Sequence, residues 1–256
     1  MWSFEHEPTP ELRQNFEISY TVPSACARAL NGGTADIGII PAITYATIPD
    51  LLVIPDIAIA ARGPVRSILL ISKVPIERIR TVATDSSSRT SVALTRVLLT
   101  NWYGGGRELR EMSPDLAAML ASCDAALLIG DSALLAATDG YYVYDLAELW
   151  QRHTGKSFVF AVWAIRRSAL AEVASEWKIA TAFQQSRDAG IQPENLQTIA
   201  SKWSVRLGLS REYIVSYLTD NIYFHLDQAC LDGLKLFYEC AAECGAVERA
   251  PELRFL

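Results

Sequence analysis

The sequence predicts an α/β fold in two lobes with a helical C-terminal tail. Three observations carry this prediction. Short apolar runs alternate with helix-period segments up to Arg167, as when buried strands are joined by helices. Two of these runs, Ser67–Ser72 (SILLIS) and Phe158–Ile165 (FVFAVWAI), are continuous and bracket a middle unit. Beyond Arg167 the pattern is helical, with breaks near Gly190–Pro193 and Gly208. A chain that leaves one unit and returns after another places residues 1–72 and 161–256 in a first lobe and residues 73–160 in a second. The sheets are expected to be parallel, with strands buried on both faces.

In order, Met1–Gln14 read as irregular, because Pro8 and Pro10 are breakers. Phe16–Val22 suit a strand. Pro23–Leu30 suit a helix stopped by Asn31-Gly32-Gly33. Ala35–Ile40 form a short buried strand ending at Pro41, followed by a loop or short helix over residues 42–48. Leu51–Ala61 supply one or two strands. Thr81–Thr84 form a strand, Asp85–Thr90 are wholly polar, and from Ser91 the pattern turns helical, with Val92, Leu94, Val97 and Leu98 on one face. Tyr103–Arg107 is a loop and Leu109–Met112 a strand. Ser113-Pro114 reads as cap and first helical residue. Asp124–Ile129 is a buried strand ending at Gly130-Asp131, with a helix from Ser132. Tyr142–Leu146 gives a strand or turn, and Ala147–His153 a short helix.

The 256 residues, 50% hydrophobic, suffice for a full core. A net charge of −6 and a pI near 5.2 argue against a broad nucleic-acid or anionic-membrane surface, while leaving room for a local basic pocket. The five cysteines contain no CxxC, and the three histidines His6, His153 and His225 lie far from Cys240 and Cys244, so no metal site is read. No apolar run opens the chain as a secretory signal or reaches transmembrane length. A cytoplasmic protein with reduced thiols is the expectation.

Strand ends are where α/β sheets hold ligands, which nominates Pro41–Tyr45, Ser86–Ser91 and Gly130–Ser132. Ser86, Ser87, Ser88, Arg89, Thr90 and Ser91 offer hydroxyl donors, a guanidinium and the free N–H groups of a helix start, the parts that hold a carboxylate. The same residues also suit an ordinary N-cap and solvated turn. Asp131 suits a substrate hydroxyl or an N-cap, and Gly130 lets backbone approach a ligand. Arg62 and Arg66 supply positive potential or a surface turn. Pro41 and Tyr45, with Thr44, complete the set on the first lobe. Gly130-Asp-Ser-Ala-Leu134 has Leu134 where a nucleophile elbow needs glycine. Gly104–Gly106 lacks the Gly-Lys-Ser/Thr of a P-loop. Phe158, Phe160, Trp163 and a helical His225 read as packing residues.

Four segments resemble the chorismate dehydratase family of the futalosine route to menaquinone: Ala61-Arg-Gly-Pro-Val-Arg-Ser-Ile-Leu-Leu, Asp85-Ser-Ser-Ser-Arg-Thr-Ser-Val-Ala-Leu, Ala125-Ala-Leu-Leu-Ile-Gly-Asp-Ser-Ala-Leu and Phe158-Val-Phe-Ala-Val-Trp-Ala. They occur in the family's order, and the resemblance runs from about Trp2 through the tail. It implies a type II periplasmic-binding-protein fold used as an enzyme. The implied reaction removes water from chorismate to give 3-enolpyruvylbenzoate, without a cofactor. The expected partner is that small molecule, not nucleic acid or membrane, with a homodimer held open. Family members begin with a strand and a Ser-Tyr/Phe-Leu-Asn segment before the part that aligns with Trp2–Glu7. No position here matches that cleft asparagine, so it is not carried over, and an upstream extension is expected to raise activity and stability. A solute-binding protein of the same fold and the sister dihydroxynaphthoate synthase are the competing readings. The latter would draw attention to His153.

Overall fold

The computed structural model describes residues 1–85, 88–172 and 176–256. The segment Met1–Gln14, expected to be irregular, holds two short helices, α1 (Trp2–Glu5) and α2 (Pro10–Asn15). Pro10 starts α2 rather than breaking it. At a first helical position its missing N–H costs nothing, and the Thr9 hydroxyl accepts from Leu12 N. Phe16–Val22, expected to be a strand, belong to neither sheet, and all but Phe16 are exposed. Tyr20 is 75% exposed there.

The first lobe continues with α3 (Pro23–Asn31), β1 (Ile37–Pro41), α4 (Ala42–Tyr45) and β2 (Leu51–Ala61). The middle of the chain gives β3 (Ile68–Ser72), β4 (Thr81–Asp85), α5 (Arg89–Trp102), β5 (Glu108–Met112) and α6 (Leu116–Ser122). It goes on to β6 (Ala125–Ile129), α7 (Asp131–Leu134), β7 (Tyr142–Asp145) and α8 (Leu146–Thr154). The helix α6 is capped by Asp115, two residues later than the sequence suggested, because the Asp115 carboxylate accepts from Ala118 N. The return strand is β8 (Phe158–Arg166). The tail holds α9 (Glu176–Gly190), α10 (Pro193–Leu207), α11 (Arg211–Ser216), a π-helical turn at Tyr217–Asn221, and α12 (Gln228–Glu243).

The strands form two sheets, ordered β1-β8-β2 and β5-β4-β6-β3-β7. Neither is all-parallel. The return strand β8 runs antiparallel to both β1 and β2, since it enters from the other lobe. In the second sheet β5, β4 and β6 are parallel, whereas β3 runs antiparallel to β6 and to β7. Hydrogen bonding also moves the lobe boundaries from residues 72 and 160. Ile68–Ser72 pair within the second sheet, and Phe158 already pairs with Ala61 in the first.

One edge of the second sheet is where the chain arrives from the first lobe, between Ala61 and Ile68. The ends of β4, β6 and β7 and the start of β3 share that edge, so Asp85, Gly130, Ser67 and Asp145 lie along it. A single apolar cluster runs through both lobes, joining Leu94, Val97 and Leu98 of α5 to Val162 of β8 and Phe237 of α12. Two glycines permit this packing. A Cβ on Gly233 would lie 2.0 Å from Ser157 O, and one on Gly38 would lie 2.1 Å from Cys26 Sγ.

Candidate functional site

Asp85 ends β4 at the shared edge, and Ser88 opens the 14-residue helix α5. Ser88 is the N-cap, and its Oγ accepts from Ser91 N at 3.4 Å and lies 2.9 Å from Ser91 Oγ. Thr90 and Ser91 are fully buried. Thr90 joins the lobes directly, because its Oγ1 accepts from Ile43 N at the start of α4, 3.2 Å away. Arg89 is exposed at the first helical position, and no ion pair among the described residues engages it. Ser86 and Ser87 lie outside the described residues.

Other expected residues take structural work. Tyr45 is buried, its hydroxyl set between Leu51 O and Glu252 O and accepting from Arg254 N at 3.0 Å. It clamps the C-terminal segment to the first lobe, where the sequence nominated it for substrate. Burial comes first in raising its pKa, which keeps it a neutral donor. Pro41 is buried and caps α4, its carbonyl accepting from Thr44 Oγ1 at 2.6 Å. Arg62 forms an ion pair with Asp227, the N-cap of α12, and lies 3.6 Å over the Tyr223 ring. Asp227 also accepts from Tyr223 OH and Cys230 N. Although burial alone would raise it, these donors hold the Asp227 carboxyl down to about 2. Cys230 beneath it is pushed up to about 12 by burial and the Asp227 charge, an inert thiol.

Gly130 has φ 57 and allows the abrupt turn from β6 into α7. Its N–H donates to Ser67 O at 2.8 Å, and Asp131 beside it is exposed. The sequence missed the neighbours of this turn. Tyr217 OH donates to Ser67 Oγ at 2.9 Å, tying the tail to the second sheet. Burial and the nearby Asp131 charge raise the pKa of Tyr217. Asn221 is 8% exposed, its Nδ2 donates to Pro64 O, and its Oδ1 has no donor among the described residues. Asp145 accepts from Val65 N, Arg66 N, Ala147 N and Glu148 N and so fixes the crossing loop to α8. The only sequence hint was the spacing of Tyr213, Tyr217 and Asn221, four residues apart on one helical face.

His153 is remote from this edge. It sits near the end of α8, stacked on Trp102 with ring centroids 4.8 Å apart, and its Nε2 is 3.0 Å from Tyr103 OH. Trp102 ends α5, so about 20 Å of helix separates it from Ser88. His225 is not helical and lies 3.4 Å from Asp56. Two open depressions do not suit an anion. One of 440 Å³ beside β4 is lined by Asp85 and Glu111, and one of 350 Å³ in the tail by Glu212 and Asp220. Among the described residues no three His, Cys, Asp or Glu side chains group as metal ligands, and no helix is long and apolar enough to cross a membrane.

The sequence model of a family described as menaquinone biosynthesis matches residues 2–243. A chorismate dehydratase of Thermus thermophilus is 31% identical over 245 residues, covering 88% of this chain and 87% of that protein. Among solved structures, protein AF1704 of Archaeoglobus fulgidus superposes with a TM-score of 0.68 at 17% identity, over 90% of this chain and 86% of that one. The periplasmic aliphatic sulphonate binding protein SsuA of Escherichia coli gives 0.60 at 17% identity, over 91% and 81%. Both likenesses bear on the fold.

Proposed function

Since the chain belongs to the menaquinone-biosynthesis family, we propose that it is a chorismate dehydratase. In this reading it is a carbon–oxygen hydro-lyase that converts chorismate to 3-enolpyruvylbenzoate in the cytoplasm, on the futalosine route. The observation that carries the proposal is the 31% identity to the Thermus enzyme across 88% of the chain.

The chemistry asks little of the protein. Loss of a ring proton and the 4-hydroxyl makes the ring aromatic, so the driving force lies in the substrate. What remains is to bind two carboxylates, exclude water and hold the leaving hydroxyl near a donor. In this reading the α5 entrance binds one of the two carboxylates. Arg89 offers a charge-assisted bond, and the first-turn N–H groups and Ser88 offer neutral donors. Asp131, exposed at the adjacent strand end, suits the substrate hydroxyl. The substrate's own enolpyruvyl carboxylate serves as base, which fits a cleft edge where no described histidine stands.

The sister dihydroxynaphthoate synthase reading is weakened by His153, held at the far end of α5. A non-catalytic carboxylate binder is favoured by one observation, the likeness to sulphonate-binding proteins. Proton NMR of chorismate incubated with the purified protein separates the two. Dehydratase activity replaces the ring-diene signals with those of a 1,3-disubstituted aromatic ring. Broadened but unconverted chorismate signals would overturn the proposal in favour of the binder.

A further inference from the structure

We propose that Arg66 and Ser67, with Ser67 oriented by Tyr217 of the tail, form a second carboxylate-binding point at the cleft edge of the second sheet. This rests on the reading of the cleft as a dicarboxylate site and extends it to residues outside the nominated loop.

The two candidate cations of the crossing loop are not equivalent. Arg62 is spent on Asp227 and Tyr223. Arg66 is exposed, and no carboxylate among the described residues lies within ion-pair distance of it. Its backbone is held at φ 61, a left-handed conformation that a long side chain rarely adopts. Asp145 holds it there by accepting Arg66 N at 2.6 Å and Val65 N at 2.8 Å. Outliers of this kind persist only where surrounding structure enforces them, and they cluster at ligand sites.

Two contacts place Arg66 and Ser67 on one side of the loop. The Arg66 guanidinium lies 5.7 Å from the Tyr213 ring centroid, and Ser67 Oγ accepts from Tyr217 OH. Tyr213 and Tyr217 are one helical turn apart, so both contacts land on the same tail face. Having accepted from Tyr217, the Ser67 hydroxyl is set to donate elsewhere, and no acceptor for it stands among the described residues. A guanidinium beside an oriented hydroxyl donor matches a carboxylate.

The spacing also fits. Ser67 immediately precedes β3, two strands from β4, and neighbouring strands lie about 4.8 Å apart, so this point is roughly 10 Å across the edge from Asp85 at the end of β4. One carboxylate at α5 and another at Arg66 would hold a ring between them over Gly130-Asp131.

The test compares binding of 3-(carboxymethoxy)benzoate and benzoate to the parent, R66Q, R66K, S67A and Y217F, with melting temperatures and chorismate turnover on the same samples. Arg66→Gln should weaken the dicarboxylate about tenfold or more and leave benzoate unchanged, with Arg66→Lys restoring part of the loss. Tyr217→Phe should show the same selectivity with a smaller loss, because it acts through Ser67. An unchanged dicarboxylate affinity in R66Q, equal losses for both probes, or a parent that binds neither probe would each overturn the subsite. A parent that turns over chorismate while R66Q keeps its KM overturns the subsite and leaves the dehydratase standing. A parent without turnover whose dicarboxylate binding still depends on Arg66 keeps the subsite and removes the dehydratase.

Discussion

Asp227 does three things with one carboxylate: it caps α12, pairs with Arg62 and receives the Tyr223 hydroxyl. Removing a capping Asp costs about 0.5–2 kcal/mol, and the half-exposed Arg62 adds little, so Asp227→Ala should lower stability by about 1–2 kcal/mol in denaturant unfolding at neutral pH. The acid dependence has a definite sign. The folded carboxyl titrates near 2, below its ordinary value of 3.8. Its contribution is therefore complete above about pH 4 and is lost as pH falls toward 2. Unfolding measured at pH 3 and pH 7 should show a smaller gap between parent and variant at the lower pH. Thr90 is the second residue whose bond reaches across the molecule. Thr90→Val keeps the shape but strands the Ile43 N–H, and should cost about 1–3 kcal/mol in the same measurement.

Two helices, α5 and α12, lock against β8, and the α12 packing can be tested at Gly233. The Gly233→Ala substitution would drive a methyl into the Ser157 carbonyl, a backbone atom that cannot rotate away. We expect about 1–3 kcal/mol of destabilisation, read as a fall in Tm. Most elements were legible because their signals are local. The apolar runs at Ile68–Ser72 and Ala125–Ile129, and the proline start of α3, declare themselves within a few residues. The errors lie where a distant partner decides. Residues 17–22 carry a strand pattern, yet no strand pairs with them. The direction of β3 and β8 depends on which lobe the chain is leaving, which periodicity does not encode. At the site, Ser88 and Thr90 were visible as hydroxyls at a helix start. That Tyr45 would clamp the C-terminal segment, or that Tyr217 would reach Ser67, depends on contacts spanning 207 and 150 positions of the chain.

At the scale of the whole molecule, the lobes meet in one apolar cluster, and α5 belongs to that seam; in the reading proposed above, its N-terminal entrance also binds the substrate. Chemistry and lobe contact therefore share an element. Substitutions in the buried part of α5 should disturb both, and those at its exposed entrance should disturb binding alone. Arg89 is the residue that separates the two, being exposed at the entrance and outside the core. The direct test is steady-state kinetics of chorismate dehydration by the parent and Arg89→Ala, with melting temperatures for both. A charge-assisted bond to a carboxylate is worth about 1.5–3 kcal/mol, so KM should rise at least about tenfold at an unchanged Tm. An unchanged KM together with a lowered Tm would contradict the account and make Arg89, with the entrance it marks, part of the scaffold alone.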